Sequence, residues 1–165
     1  MKHIAYIAIG SNMGNPSDNC IEAIREISKN ASIKIISKSS FYQTSPIGPI
    51  EQEWFVNSVI KINTSLTPKK LLTNLLNIES SMGRVRKEKW GARLIDLDLL
   101  FYDNQILNQE KIIIPHPEIS KRNFVLIPLC EIAENLNHPT LKKNIKTLLQ
   151  KSTDNAKVRK LNPTL

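Results

Sequence analysis

Asp96 and Asp98 stand one residue apart in the run Leu94-Ile-Asp-Leu-Asp-Leu-Leu100. In an extended strand, residues i and i+2 project to the same face. The two carboxylates therefore point together, while Ile95, Leu97 and Leu99 turn to the opposite side, toward a core. Carboxylates held side by side repel and raise each other's pKa unless a cation offsets them. Magnesium suits such a pair, because it takes one or two protein carboxylates and completes its shell with phosphate oxygens and water. Alone, the pair equally fits a solvated face balanced by nearby lysines.

The residues just before it add a second half to that chemistry. Gly83-Arg-Val-Arg-Lys-Glu-Lys-Trp-Gly-Ala-Arg93 carries five cations, Arg84, Arg86, Lys87, Lys89 and Arg93. A guanidinium offers a forked donor set that fits phosphate oxygens bidentately. Gly83 and Gly91 allow the segment to hinge, as expected of a lid closing over a nucleotide, and Trp90 is placed to stack on or cover a ligand. A solvated charge run explains the cations but not the carboxylates that follow them.

Further along, Asn57 shares a strand face with Phe55, an amide beside an aromatic ring, which suits a flat heterocycle with donors and acceptors on its edge. A rim asparagine beside core packing fits as well. His116 lies in a rigid turn between Pro115 and Pro117, and Arg122 and Phe124 bring a cation close to a ring. Each of these alone is equally compatible with a structural role.

The elements that must position these residues follow from periodicity. His3 to Ile9 reads as a buried strand stopped by Gly10-Ser11-Asn12, and Ser17 or Asp18 caps a helix with Cys20, Ile21, Ala23, Ile24 and Ile27 on its apolar face. Ser32 to Tyr42 alternates like a strand. Thr44-Ser45-Pro46-Ile47-Gly48-Pro49 is too proline-rich for an interior strand and forms a shaped loop. Phe55 to Ile62 resumes strand character. Thr67 caps a helix begun by Pro68, with Leu71, Leu72, Leu75, Leu76 and Ile78 as its stripe. Leu94 to Tyr102 is a strand, Gln105 to Ile114 a short irregular one, Phe124 to Ile132 a buried helix and Leu141 to Leu149 an amphipathic one. The order β-α-β-β-α-β predicts an α+β, ferredoxin-like sandwich, an antiparallel sheet with helices on one face and extra C-terminal helices. One domain spanning 1–165 is expected, with the lysine-rich tail after Gln150 its least defined part.

Composition agrees with an anionic ligand. In 165 residues, 23 lysines and arginines face 15 acids, a formal charge of +8 that favours nucleotides, nucleic acid or acidic membranes. A chain of this length buries roughly two-thirds of its surface on folding. Cys20 and Cys130 are too few and too far apart for a disulfide framework or a zinc site, and fit small buried hydrophobes in a reducing cytosol. Ile4 to Ile9 is too short for the apolar core of a secretory signal, and no run approaches the ~20 apolar residues of a membrane span. A cytoplasmic location is expected.

With these motifs together, the chain resembles the 6-hydroxymethyl-7,8-dihydropterin pyrophosphokinases of folate biosynthesis. The resemblance runs from Ala5-Tyr-Ile-Ala-Ile-Gly-Ser-Asn12 through Ser40-Phe-Tyr-Gln-Thr44, Gly48-Pro49, Phe55-Val-Asn57, Glu79 and Gly83-Arg-Val-Arg86. It continues to the signature Trp90-Gly-Ala-Arg93-Leu-Ile-Asp96-Leu-Asp98, then Pro115-His116-Pro117, Arg122 and Phe124. It implies transfer of the terminal diphosphate of ATP to the pterin hydroxymethyl group, with AMP released. It further implies that Asp96 and Asp98 hold two Mg2+ ions, that Arg84 and Arg93 clamp phosphates, and that Arg86, Lys89 and Trp90 belong to a closing loop. His116 and Arg122 are implied as further ATP contacts, with Glu79 near the nucleotide and the pterin. Phe55 and Phe124 would hold the pterin ring between them, read at its edge by Asn57 and backbone groups around Thr44, Ser45 and Ile47.

Several positions depart from other members. The stretch from Arg86 to Trp90 is one residue shorter than in some. Lys89 stands where an arginine is common, Ser45 where some have proline, Pro117 where some have tyrosine, and Phe55 replaces a tyrosine. The implied partners are ATP and the pterin, without nucleic acid or membrane, for a monomer or one domain of a longer folate-pathway fusion. Two rivals remain from the residues alone. A basic RNA-binding sheet needs aromatics on its central strands, but aromatics are only 5% of the chain and are scattered. A nucleotidyl- or glycosyltransferase explains Asp96 and Asp98 but not Asn57 with Phe55 and Phe124.

Overall fold

The computed structural model describes residues 2–46, 48–49, 51–83 and 94–162. Its organising element is β1 (His3–Ser11), which pairs antiparallel with β4 (Phe55–Thr64) along its whole length and with β5 (Asp96–Tyr102) on its other side. Both faces of β1 are covered, so its residues read as a continuous apolar run rather than an alternation. The strand passes the expected stop at Ile9, with Gly10 paired to Asn57 and Ser11 to Val56.

β2 (Ile33–Lys38) pairs with the far half of β4, and β3 (Tyr42–Thr44) with its near half. The single strand expected over 32–42 is thus two. Its alternation breaks at Ser39, whose backbone donates to Val59 O and whose hydroxyl accepts from Val59 N, both at 2.9 Å. The tail is part of the sheet: β8 (Val158–Lys160) extends it beyond β3, giving the order β5-β1-β4-β3-β8 with β2 also beside β4.

Helices α1 (Pro16–Ser28) and α2 (Pro68–Ser81) pack on one face, where Cys20, Ala23, Ile27, Leu71 and Leu75 close over Ala5, Ile7, Ile9, Ile60 and Ile62. Thr67 caps α2 as expected. Asn15 caps α1 in place of Ser17 or Asp18, because Pro16, lacking an N–H and fixed near helical φ, already occupies the first helical position. Leu76 is 46% exposed and Leu72 only half-buried, so the stripe on α2 is narrower than expected.

The opposite face is covered by α3 (Asn123–Ala133) and α4 (Ile145–Lys151), which bury Leu126, Leu129, Ile145 and Leu148 against Tyr6, Val59 and Phe101. The ferredoxin-like order holds for all six of its elements, β1, α1, β2, β4, α2 and β5, with β3 added between β2 and β4, and the C-terminal helices cover the second face. A bulge at Leu100 lets β5 serve both layers: Leu97, Leu99 and Tyr102 join the first core, Leu100 and Phe101 the second. The irregular strand expected over 105–114 is a hairpin, β6 (Leu107–Gln109) and β7 (Ile112–Ile114), reversed at Glu110 and Lys111. α4 starts at Ile145 rather than Leu141. The His138 ring accepts from Thr140 N and Leu141 N in a turn, and Asn144 then caps the helix through Thr147 N.

Both thiols are free, and burial pushes that of Cys20 up to about 12. Among the described residues, no helix is long and apolar enough to cross a membrane.

Candidate active site

Asp96 and Asp98 lie on the α3 face of β5, beside Gly10 and Ala8 of β1. Asn57 pairs with Gly10 from the other side, so the amide and the first carboxylate flank one glycine. Two inter-strand spacings separate them, about 9–10 Å. Gly10 permits this arrangement: a Cβ there would sit 2.7 Å from Asn57 Oδ1. Asn57 is 7% exposed, and its Nδ2 donates to the Thr44 hydroxyl, itself buried, which fixes the amide's orientation. The expected face of β4 is therefore the observed one. The role of Gly10, read from sequence only as a strand breaker, is to leave room for that amide.

Glu79, buried in α2, accepts from the backbone N–H of Leu97 at 3.1 Å. That N–H lies between the two aspartates on an edge strand, so the carboxylate satisfies an edge donor and holds the backbone from which both project. Glu79 also reaches a cavity of about 350 Å3 shared with Asp96, Asp98 and His116 and walled by Leu72, Leu76 and the β6–β7 hairpin. The half-exposed leucines of α2 are part of that wall. Sequence reasoning missed them and the hairpin turn at Glu110 and Lys111, because a helical stripe read as core conceals a residue turned toward a cavity.

The turn expected around His116 is in place. His116 N donates to Leu100 O at 2.9 Å, and its Nδ1 accepts from Glu118 N at 3.2 Å. In the neutral ring this leaves Nε2–H as donor. Burial first, then the Arg122 guanidinium, hold the imidazole below its ordinary value. Arg122 lies 5.6 Å from the centre of the Phe124 ring, the cation and ring expected together. Phe55, at the start of β4, and Phe124, in the first turn of α3, are both half-buried on the same side of the sheet as Asn57.

The remaining expectations, Arg84, Arg86, Lys89, Trp90, Arg93, the hinge at Gly91 and the backbone of Ile47, lie outside the described residues. Among the described residues no cluster of three or more His, Cys, Asp or Glu is placed to hold a metal by itself. A carboxylate pair on one strand face beside a cavity is nonetheless the donor set Mg2+ uses when phosphate oxygens and water complete its shell. The residues present fit that ion.

A carboxylate pair and an imidazole around one cavity, with an oriented amide across Gly10, are parts that a nucleotide-dependent transferase needs. The model of the 7,8-dihydro-6-hydroxymethylpterin-pyrophosphokinase (HPPK) family matches residues 6–134, and the chain belongs to that family. It is 44% identical over 159 residues to the 2-amino-4-hydroxy-6-hydroxymethyldihydropteridine pyrophosphokinase of Haemophilus influenzae, covering 96% of this chain and 98% of that one. It is 41% identical over 130 residues to the Bifunctional protein FolKE of Lactococcus lactis, covering 79% of this chain and 37% of that protein. The solved wild-type HPPK-DHPS of Plasmodium falciparum with pterin and p-hydroxybenzoate has the same fold, with a TM-score of 0.72 at 17% identity. That match covers 92% of this chain and 43% of the other.

Proposed function

We propose that this chain transfers the diphosphate of ATP to the hydroxymethyl group of 6-hydroxymethyl-7,8-dihydropterin, a step of folate biosynthesis. The pterin oxygen forms a bond to Pβ, the bond from Pβ to the oxygen bridging it to Pα breaks, AMP leaves, and the hydroxyl proton passes to solvent. The observation that carries this reading is the placement of Asn57 and Asp96 on either side of Gly10. One site can then hold a heterocycle edge and a polyphosphate within one ligand length of each other.

In this reading Asn57 and the backbone around Thr44, Ser45 and Ile47 bind the pterin edge, and Phe55 and Phe124 hold its ring. Buried donors on the heterocycle need partners, and a preset amide supplies them without reorganisation. Asp96 and Asp98 hold two Mg2+ ions; when bound, these offset phosphate charge and favour the ionised hydroxyl. Arg84 and Arg93 clamp the transferred phosphates, with Arg86, Lys89 and Trp90 on the closing segment. His116 donates from Nε2–H to a phosphate oxygen, Arg122 adds a cation, and Glu79 keeps β5 in place. Leu99 and its neighbours in the first core brace the strand.

The chain acts as one domain and as a monomer in the cytoplasm, in keeping with its two free cysteines. The relationship to a bifunctional protein also admits fusion to another folate enzyme. Incubation with ATP, Mg2+ and the reduced pterin should give pterin-dependent AMP by nucleotide chromatography. Release of ADP instead would overturn the diphosphate assignment.

A further inference from the structure

The first turn of α3 carries Arg122 and Phe124 but has no side-chain cap of its own. Its leading N–H groups would be orphaned. The partner comes from 31 residues downstream: Asp154 Oδ2 accepts from Asn123 N at 2.8 Å, and Asp154 O accepts from Asn123 Nδ2 at 3.1 Å. A carboxylate at a helix N-terminus also meets the positive end of the helix dipole. The same side chain is held by its own neighbours, with Oδ1 accepting from Ala156 N at 2.9 Å and Asp154 N donating to Ser152 Oγ at 3.2 Å.

Three residues later the tail reaches the other wall of the slot. Lys157 N donates to Ser45 Oγ and Lys157 O accepts from Ser45 N, both at 3.0 Å. β8 then pairs Val158 with Thr44, the residue that orients Asn57. The segment 154–158 thus ties the Arg122–Phe124 turn to the Thr44–Ser45 edge.

We infer that Asp154 is a positioning residue for the heterocycle: by capping α3 from the tail it sets Phe124 against the edge read by Thr44, Ser45 and Asn57. This rests on the pterin reading of that slot. A ligand's apparent affinity falls by the fraction of molecules whose site is assembled. Loss of the clamp therefore raises KM for the pterin, and raises that for ATP less, because Arg122 alone of the phosphate groups sits on this turn.

The test is steady-state kinetics of the full chain with Asp154→Ala, Asp154→Asn and Asn123→Pro. Asp154→Ala should raise the pterin KM about tenfold, as expected if about one molecule in ten keeps the slot assembled. The kcat should stay within about twofold, the KM for ATP should rise by less than that for the pterin, and Asp154→Asn, which keeps an acceptor, should restore most of the pterin KM. An unchanged pterin KM, or a parallel loss in all three parameters that Asp154→Asn does not rescue, would overturn the inference. If Asp154→Ala fails to fold, Asn123→Pro decides in the same way, since proline fits the first helical position and removes both donors to Asp154: a selective rise in pterin KM supports the clamp and an unchanged one refutes it. Wild-type chain that releases no AMP with the pterin would instead refute the functional reading itself, and the inference with it.

Discussion

A methyl group at position 10 would lie 2.7 Å from Asn57 Oδ1, closer than any carbon–oxygen contact tolerates. The amide would have to turn, breaking its bond to the Thr44 hydroxyl. Gly10→Ala should therefore raise the pterin KM about tenfold, the effect of about 1.4 kcal/mol, with the ATP KM unchanged in the same kinetic assay. Asp96→Asn and Asp98→Asn act on the other half of the site. Each should lower kcat by at least about 10²-fold, the scale of losing one preorganised electrostatic group. The far-ultraviolet circular dichroism spectrum should stay native, because neither carboxylate belongs to a core. Turnover with ordinary magnesium dependence in either variant would contradict the role given to the pair.

At the scale of elements, α3 is tied to the strand edge at both its ends. Near its C-terminus, Glu131 accepts from Ser40 N at 3.0 and 3.1 Å, from Ser40 Oγ at 2.9 Å and from the Tyr42 hydroxyl at 2.5 Å. Burial alone would raise this carboxyl, but the Tyr42 and Ser40 hydrogen bonds, with Lys160 nearby, outweigh it and leave it below the ordinary 4.5. A depressed carboxylate contributes stability that is present above its unfolded value and lost as pH falls through its folded value. Thermal melts from pH 7 to 3 should therefore show a shallower decline below about pH 4.5 for Glu131→Gln than for the parent chain, from a lower starting Tm at pH 7. Identical slopes would remove Glu131 from the acid response. On the alkaline side, burial and then Glu131 hold the Tyr42 phenol well above its usual 10. Its contribution is lost only as pH climbs past that ordinary value toward the folded one.

The elements legible in the sequence are those with a long period or a local cap. β4's two faces, α2 with Thr67 and Pro68, and the shared face of Asp96 and Asp98 are examples, since each depends on neighbours within a few residues. Gly10 was misread because the same residue type marks a strand's end and a close approach within a strand, and only the partner strand distinguishes them. β8 was invisible for a related reason: three residues rich in lysine and arginine carry no period, and β3 alone gives them a place. The cap on α3 is non-local, so no pattern around Asn123 could announce it. Leu76 marks the limit of binary patterning, an apolar residue on a helical stripe that lines a cavity instead of a core.

For the whole molecule, one sheet carries two helical layers, and Asn57 and Asp96 meet β1 from opposite sides at Gly10. In the proposed reading the heterocycle lies on the β4 side and the phosphates on the β5 side, and the bond that breaks is the one between Pβ and the oxygen bridging it to Pα. ATP labelled with 32P at the β-phosphate reads that bond directly when supplied with Mg2+ and the reduced pterin. The account predicts that the label moves onto the pterin as AMP accumulates. Label retained in ADP would mean transfer of a single phosphate, and label released as inorganic pyrophosphate would mean transfer of the nucleotide; either result would contradict it.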